Sequence, residues 1–244
     1  TIATVCYGIA PMVYFAACYG VLKPNTRTSH LHPLPFMRVS AESRRYIFFL
    51  TGVCVCVVLL ALPSMDDIDV TWEHLNWNSA MAIRETGVPF VRPGYPPFLH
   101  HPPSWSYIIA ASITVFGESV WAMRLPGLLC FLTTGVLLYV CARCLSLNRV
   151  VATLAATIYL TNPMALQGSL NMDFADGHLL PLASVGVVIV YLYTERRPVW
   201  LQGLWLGFGV IVLLWAKLTS TAIFLLALVL VAVFSFRKRN LQVV

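Results

Sequence analysis

The stretch Tyr46–Pro63 reads YIFFLTGVCVCVVLLALP, and it runs without a break into Ser64-Met65-Asp66-Asp67-Ile68-Asp69. A helical bilayer crossing takes roughly 20 predominantly apolar residues at about 1.5 Å of rise each. This run meets that requirement with no charge and no polar face, so it has no side to turn toward water. The acidic cluster beyond it marks the return to an aqueous surface. Outward from here the pattern repeats. Ile2–Leu22 is long enough to span, although Pro11 would kink it. Leu125–Cys141, Val150–Pro163, Leu179–Tyr193, Val199–Ala216 and Thr219–Phe236 follow. Ser104–Phe116 is apolar but short, and reads as a segment lying in the interface.

Composition points the same way. The chain is 59% hydrophobic and 11% charged, where a soluble domain carries about 25% charge. That excludes a water-soluble globule of this length. The net charge of +6 comes from short basic runs beside apolar segments. Such runs set topology and touch lipid headgroups, and they give no reason to expect nucleic acid as a partner. The seven cysteines, Cys6, Cys18, Cys54, Cys56, Cys130, Cys141 and Cys144, lie mostly inside apolar segments and form no disulfide framework. Cys141-x-x-Cys144 has no second pair of ligands nearby, which makes it a weak zinc signal.

The connections rich in Lys and Arg are 23–45, 143–149, 195–197 and 237–239, and they alternate with connections holding Asp66, Asp67, Asp69, Glu73, Asp173 and Asp176. If Tyr46–Pro63 crosses outward, the basic connections are all cytoplasmic and the acidic ones all on the far side. The expected fold is an all-α polytopic membrane protein whose first non-cytoplasmic loop, 64–103, is long. Thr71–Glu85 places Trp72, Leu75, Trp77, Ala80, Met81 and Ile83 largely on one side, as a helix lying along the membrane surface and ended by Gly87. The Pro-rich residues 88–103 read as an ordered irregular loop.

Candidate chemistry concentrates on the far side. Asp66, Asp67 and Asp69 can supply a general base or bind a divalent cation, with Asp67 and Asp69 as the metal pair, or they can simply cap the following helix. His100 and His101, backed by Pro102-Pro103, could hold an anionic group from a pre-shaped loop, or sit solvated in a rigid turn. Asp173, with Asp176 and His178 close by, sits in a short connection between spans, where an ionisable residue is a functional candidate. Lys217, in a tight turn, could meet a phosphate arriving from the leaflet or snorkel to the interface. Arg124 opens the Leu125–Cys141 span on the side where the topology rule does not want it, which argues for a specific anionic partner.

The order of these features resembles a known family. The acidic pair is followed by a surface helix ending in Gly87, a Pro-Pro loop with His100-His101-Pro102-Pro103-Ser104-Trp105-Ser106-Tyr107, then Phe116-Gly117-Glu118-Ser119, Arg124-Leu125-Pro126, Asn162-Pro163, Asp173 and Ala216-Lys217-Leu218-Thr219. This is similar to the GT-C superfamily of integral membrane glycosyltransferases, in the branch of the aminoarabinose transferases, protein O-mannosyltransferases and lipopolysaccharide-core sugar transferases. The resemblance covers about residues 46–220. It implies a GT-C-like helical bundle whose first outer loop carries interfacial helices. It also implies transfer of a sugar from a polyprenyl- or dolichyl-phosphate carrier to an acceptor hydroxyl on a lipid, glycan or protein.

By resemblance, Asp66 is the base or acceptor-orienting residue, with Asp67 where relatives often have Glu. Asp173 is the second acidic residue, and His101 and Lys217 contact the carrier phosphate. Arg124 joins them in stabilising that phosphate, with His100, Asp69 and Glu73 as further candidates. Direct displacement would invert the sugar. No cofactor is implied beyond a divalent cation at Asp67 and Asp69 if one is needed. The active loop would face periplasm, lumen or cell exterior. Some positions depart from the family pattern. The stretch from the acidic pair to Gly87 is a few residues longer, which leaves the choice among Asp66, Asp67 and Asp69 open, and Ser104 replaces an apolar residue. We expect residues 1–45 to be an extra span with a basic cytoplasmic loop, and residues 46–244 to be the N-terminal part of a longer catalytic module. The competing readings are a transporter or flippase of lipid-linked intermediates, which would use paired broken helices, and a non-catalytic subunit of a membrane complex.

Overall fold

The computed structural model describes residues 41–65, 71–89, 104–145, 147–170, 178–194 and 199–216. The expected spans Ile2–Leu22 and Thr219–Phe236 lie outside these residues. So do most of the basic loop 23–45 and the candidates Asp66, Asp67, Asp69, His100, His101, Asp173 and Lys217. Among the described residues there are eight α-helices and no strand. They are α1 (Ala41–Ala61, extended by a 3-10 turn Leu62–Ser64), α2 (Thr71–Thr86), α3 (Ser104–Phe116), α4 (Val120–Cys144), α5 (Arg149–Leu160), α6 (Pro163–Leu170), α7 (Leu179–Thr194) and α8 (Val199–Ala216).

Among the described residues, two stretches are long and apolar enough to cross a membrane: Arg44–Ser64, with mean hydropathy 2.5, and Val120–Cys144, with mean hydropathy 2.0. The chain is an all-α membrane protein. Its outer face says so: Phe48 is 81% exposed and Leu60 73%, an apolar surface that water would not tolerate and lipid would.

Helix α4 is the axis of the bundle, packed against α3, α5, α6 and α7. Helix α1 runs beside it, with Val57 against Phe131 and Leu160, and Ala61 and Met65 against Leu128. Helices α5 and α6 return along α4 from its Cys144 end: Leu160 meets Phe131, and Leu170 then reaches Leu128 at the Val120 end. Helix α7 starts at the Val120 end, where Leu179 packs near Ala122 and Met123, and finishes with Leu192 against Cys141. Helix α8 comes back, placing Leu213 and Ala216 against Leu180.

Two expected boundaries change. Sequence patterning predicts a span at Leu125–Cys141, but the helix begins at Val120. Ser119 caps it, its side chain accepting from the Ala122 N–H, so helix can start before the hydrophobic run does. Arg124 therefore sits inside the first turns of α4 rather than ahead of it. The predicted span Val150–Pro163 is two helices, broken at Thr161-Asn162. Pro163 would clash with the carbonyl four residues back, so α5 stops. Asn162 then starts α6, its Oδ1 accepting from Met164 N–H at 3.0 Å and Ala165 N–H at 3.3 Å, with Pro163 in the first position, where a missing N–H costs nothing.

Candidate active site

The site is built around the Val120 end of α4. The motif Phe116-Gly117-Glu118-Ser119 is the joint that turns α3 into α4. Gly117 takes φ 91°, a left-handed conformation that ends α3. Glu118 pairs with Arg84 of α2 at 2.6 Å, and Ser119 caps α4. Helix α2 ends as patterning predicts, at Gly87 with φ 78°. Tyr107 Oη of α3 donates to the Gly87 carbonyl at 3.0 Å. The predicted apolar face of α2 is largely in place. Ala80 is buried, and Trp77, Met81 and Ile83 pack against Trp105, Ile109 and Ile113 of α3. Helix α3 is thus packed against α2 and α4, while its outer face, with Tyr107, Val115 and Phe116, stays exposed.

The motif Arg124-Leu125-Pro126 has a physical explanation. Pro126 lies inside α4 and has no N–H, so the carbonyl of Ala122, four residues back, loses its helical partner. Ser112 Oγ of α3 donates to that carbonyl at 2.5 Å, which pins α3 to α4 where the helix is weakened. Arg124, 6% exposed, uses Nη2 to reach both carboxylate oxygens of Glu73, at 2.9 and 2.8 Å. Its Nη1 donates to the carbonyl of Ser64. Glu73 is fully buried. One guanidinium thus joins α4, the first turn of α2, and the end of α1 two residues before Asp66. The sequence names both Glu73 and Arg124 as candidates but does not pair them.

A second polar constellation escapes sequence reading. His178, in the turn ahead of α7, is fully buried and stacks on Trp105 at 3.7 Å between ring centroids and 24° between planes. Its Nδ1 accepts from Leu179 N–H at 2.8 Å, so the proton of the neutral ring is on Nε2. Burial pushes its pKa down from 6.5 to about 3, so the ring is neutral at physiological pH. His178 Nε2 and Trp105 Nε1 are buried and have no hydrogen-bond partner among the described residues. Among those residues, no three His, Cys, Asp or Glu side chains come together as metal ligands. Asp67 and Asp69 lie outside them.

The profile of the family described as dolichyl-phosphate-mannose-protein mannosyltransferase matches residues 100–243, more than half of the chain. The chain belongs to this family. It is a membrane glycosyltransferase by that membership. Searches of curated proteins and of solved structures return no match. The part of this mannosyltransferase-family chain that matches begins at His100. It therefore contains the His-Pro loop, Arg124-Leu125-Pro126, Asn162-Pro163, Asp173, His178 and Lys217, while the acidic cluster and Glu73 precede it.

Proposed function

We propose that the chain transfers mannose from dolichyl phosphate to a hydroxyl of a protein acceptor, on the non-cytoplasmic side of the membrane, with inversion. Donor and acceptor classes follow the family description. The chemistry is one displacement. The acceptor oxygen attacks the anomeric carbon, the bond from that carbon to the phosphate oxygen breaks, and the hydroxyl proton passes to a carboxylate, Asp66 or Asp67. Dolichyl phosphate leaves, its charge met by His101 and Lys217, while Arg124, expected from the sequence as a third phosphate contact, is taken up by Glu73 and Ser64. Asp173 orients the acceptor from the second outer loop.

The observation that carries this reading is the convergence of anchors. Met65, bonded to Asp66, is buried against Leu128 and Leu170. Asp173 is three residues past Leu170, a reach of at most about 10 Å. His101 is four residues before Trp105. Lys217 follows Ala216, which packs on Leu180 beside Leu179. Every one of these tethers sits at the Val120 end of the bundle, with Arg124 and Glu73. Arg44, Arg45, Arg143 and Arg149 lie at the ends of α1, α4 and α5 that point the other way, which supports a multi-pass arrangement with the acidic loops outside. Arg124 acts here through placement: by holding the Ser64 carbonyl it positions the segment that carries Asp66.

The test is transfer of mannose from dolichyl-phosphate mannose to a Ser/Thr peptide by the full chain in membranes. D66N, D67N and D173N should be made singly and paired. Loss of the base should lower the rate by about 10²–10⁴-fold while insertion and expression persist. Undiminished transfer by the D66N/D67N pair would remove the Asp-base mechanism.

A further inference from the structure

A groove of about 610 Å³ lies between α1 and the joint of α5 with α6, a volume in the range of ligand pockets. One face of α1 is its floor, with Arg45, Gly52, Cys56 and Leu60 at helical spacing, and Thr161 and Asn162 line its other side. A methyl group on Gly52 would touch nothing within 4 Å, so the floor is open there. Arg45 to Leu60 is about 22 Å of helical rise, and one leaflet of the hydrocarbon core is about 15 Å deep. The groove is therefore long enough for a whole acyl chain, and its surface is almost entirely apolar.

Two features say what fills it. The first is charge. Arg45 stands exposed at one end of the groove, beside Arg44, with no ion-pair partner among the described residues, and no carboxylate lines the groove. The occupant is apolar along its length and negative at that end. The second is the α5–α6 joint. Leu160, just before it, packs on Val57, about 18 Å of rise from Arg45 and so within the hydrocarbon. Irregular backbone at that depth is tolerated where protein covers it or where it lines a cavity. Thr161 and Asn162 are exposed, and the groove is what they line. We propose that the groove binds one anionic phospholipid of the bilayer, with its headgroup phosphate on Arg45 and one acyl chain laid along Gly52 and Cys56 to the α5–α6 joint. An isologous dimer on this face would set Arg45 against its own copy, like charge against like. The site is at the opposite end of α1 from Ser64 and the Arg124–Glu73 pair, and it needs membrane residence but no transfer chemistry.

The test is native mass spectrometry of the full chain in detergent, titrated with phosphatidylglycerol or with phosphatidylcholine of the same acyl chains. One phosphatidylglycerol should be retained per chain, and phosphatidylcholine should bind about fivefold more weakly, the worth of one basic residue facing an anionic lipid. R45Q should lower phosphatidylglycerol binding by about the same factor and leave phosphatidylcholine unchanged. G52L fills the floor and should weaken both lipids by about 5- to 100-fold, with its helix content in detergent matching that of the unaltered chain. R45Q alters an exposed side chain, so it keeps the test decisive if G52L fails to fold. Equal retention of the two lipids, or phosphatidylglycerol binding untouched by R45Q, overturns the proposal. Displacement of phosphatidylglycerol by an equal amount of dolichyl phosphate gives the groove to the carrier and overturns it too. A dimer that G52L dissolves, without loss of lipid, would make this face a contact between copies and likewise overturn it.

Discussion

Among the described residues, two ion pairs tie α2 to the helices behind it, and they are made of the same chemistry in different surroundings. Arg124 and Glu73 are 7% and 0% exposed in their side chains, while Arg84 and Glu118 are 30% and 52% exposed. The exposed pair joins the end of α2 to the turn between α3 and α4. The buried pair joins its beginning to α4 and, through Ser64, to the end of α1. Water screens the first and can replace either partner when the other is lost. Water does not reach the second, so a charge left there by losing its partner stays desolvated. The difference teaches where the bundle is rigid. The base of the acidic loop is fixed by a contact that cannot be half removed, and the far end of α2 is held by one that can.

The comparison breaks most visibly at the buried pair. E73A should lower stability by about 3–5 kcal/mol, measured by thermal or denaturant unfolding in detergent, since it leaves the buried Arg124 charge without its carboxylate. Replacing both together with apolar residues, E73L with R124M, should recover much of that loss. If it does, and transfer activity still fails, the pair serves placement of the acidic loop rather than stability. A single substitution with no effect would mean that the pair is hydrated.

A neutral contact sharpens the scale between these extremes. S112A leaves the Ala122 carbonyl opposite Pro126 without its donor and should cost about 1–3 kcal/mol. The pair S112A/P126A should be nearly as stable as P126A alone, because the helix then supplies the bond. The tie of Tyr107 to Gly87 is exposed, so Y107F should cost about 0.5–1.5 kcal/mol. Smallest is R84A or E118A, at about 0–1 kcal/mol. That effect should shrink further in high salt, whereas the cost of E73A should barely respond.

Local signals in the chain were readable where a single residue type answers a single backbone need. Gly87 ends α2 because a left-handed residue is required there, and Ser104–Phe116 was delimited by Pro103 before it and Gly117 after it. The apolar runs were readable because lipid imposes one uniform demand on every outward position. Most of the missed features join residues apart in sequence. Nothing in the segment Ser104–Phe116 marks Ser112 as a donor to the Ala122 carbonyl that Pro126 frees. Thr161-Asn162-Pro163 looked like the end of a span because a cap and a restart carry the same residues as a stop. His178 looked like a neighbour of Asp176 until Trp105 was found on its face.

By itself the sequence determined that this chain lives in a bilayer, which of its segments are apolar helices, and that its acidic and basic connections alternate. These follow from transfer free energies and backbone capping, which act on each segment alone. Only the tertiary structure decided that Arg124 belongs to Glu73 and Ser64, that α3 is packed against α2 and α4, and that His178 rests on Trp105. The physical reason is desolvation. A charge or ring nitrogen acquires its partner only when packing removes water from both, and packing between helices far apart in the chain is not written in any one stretch of it.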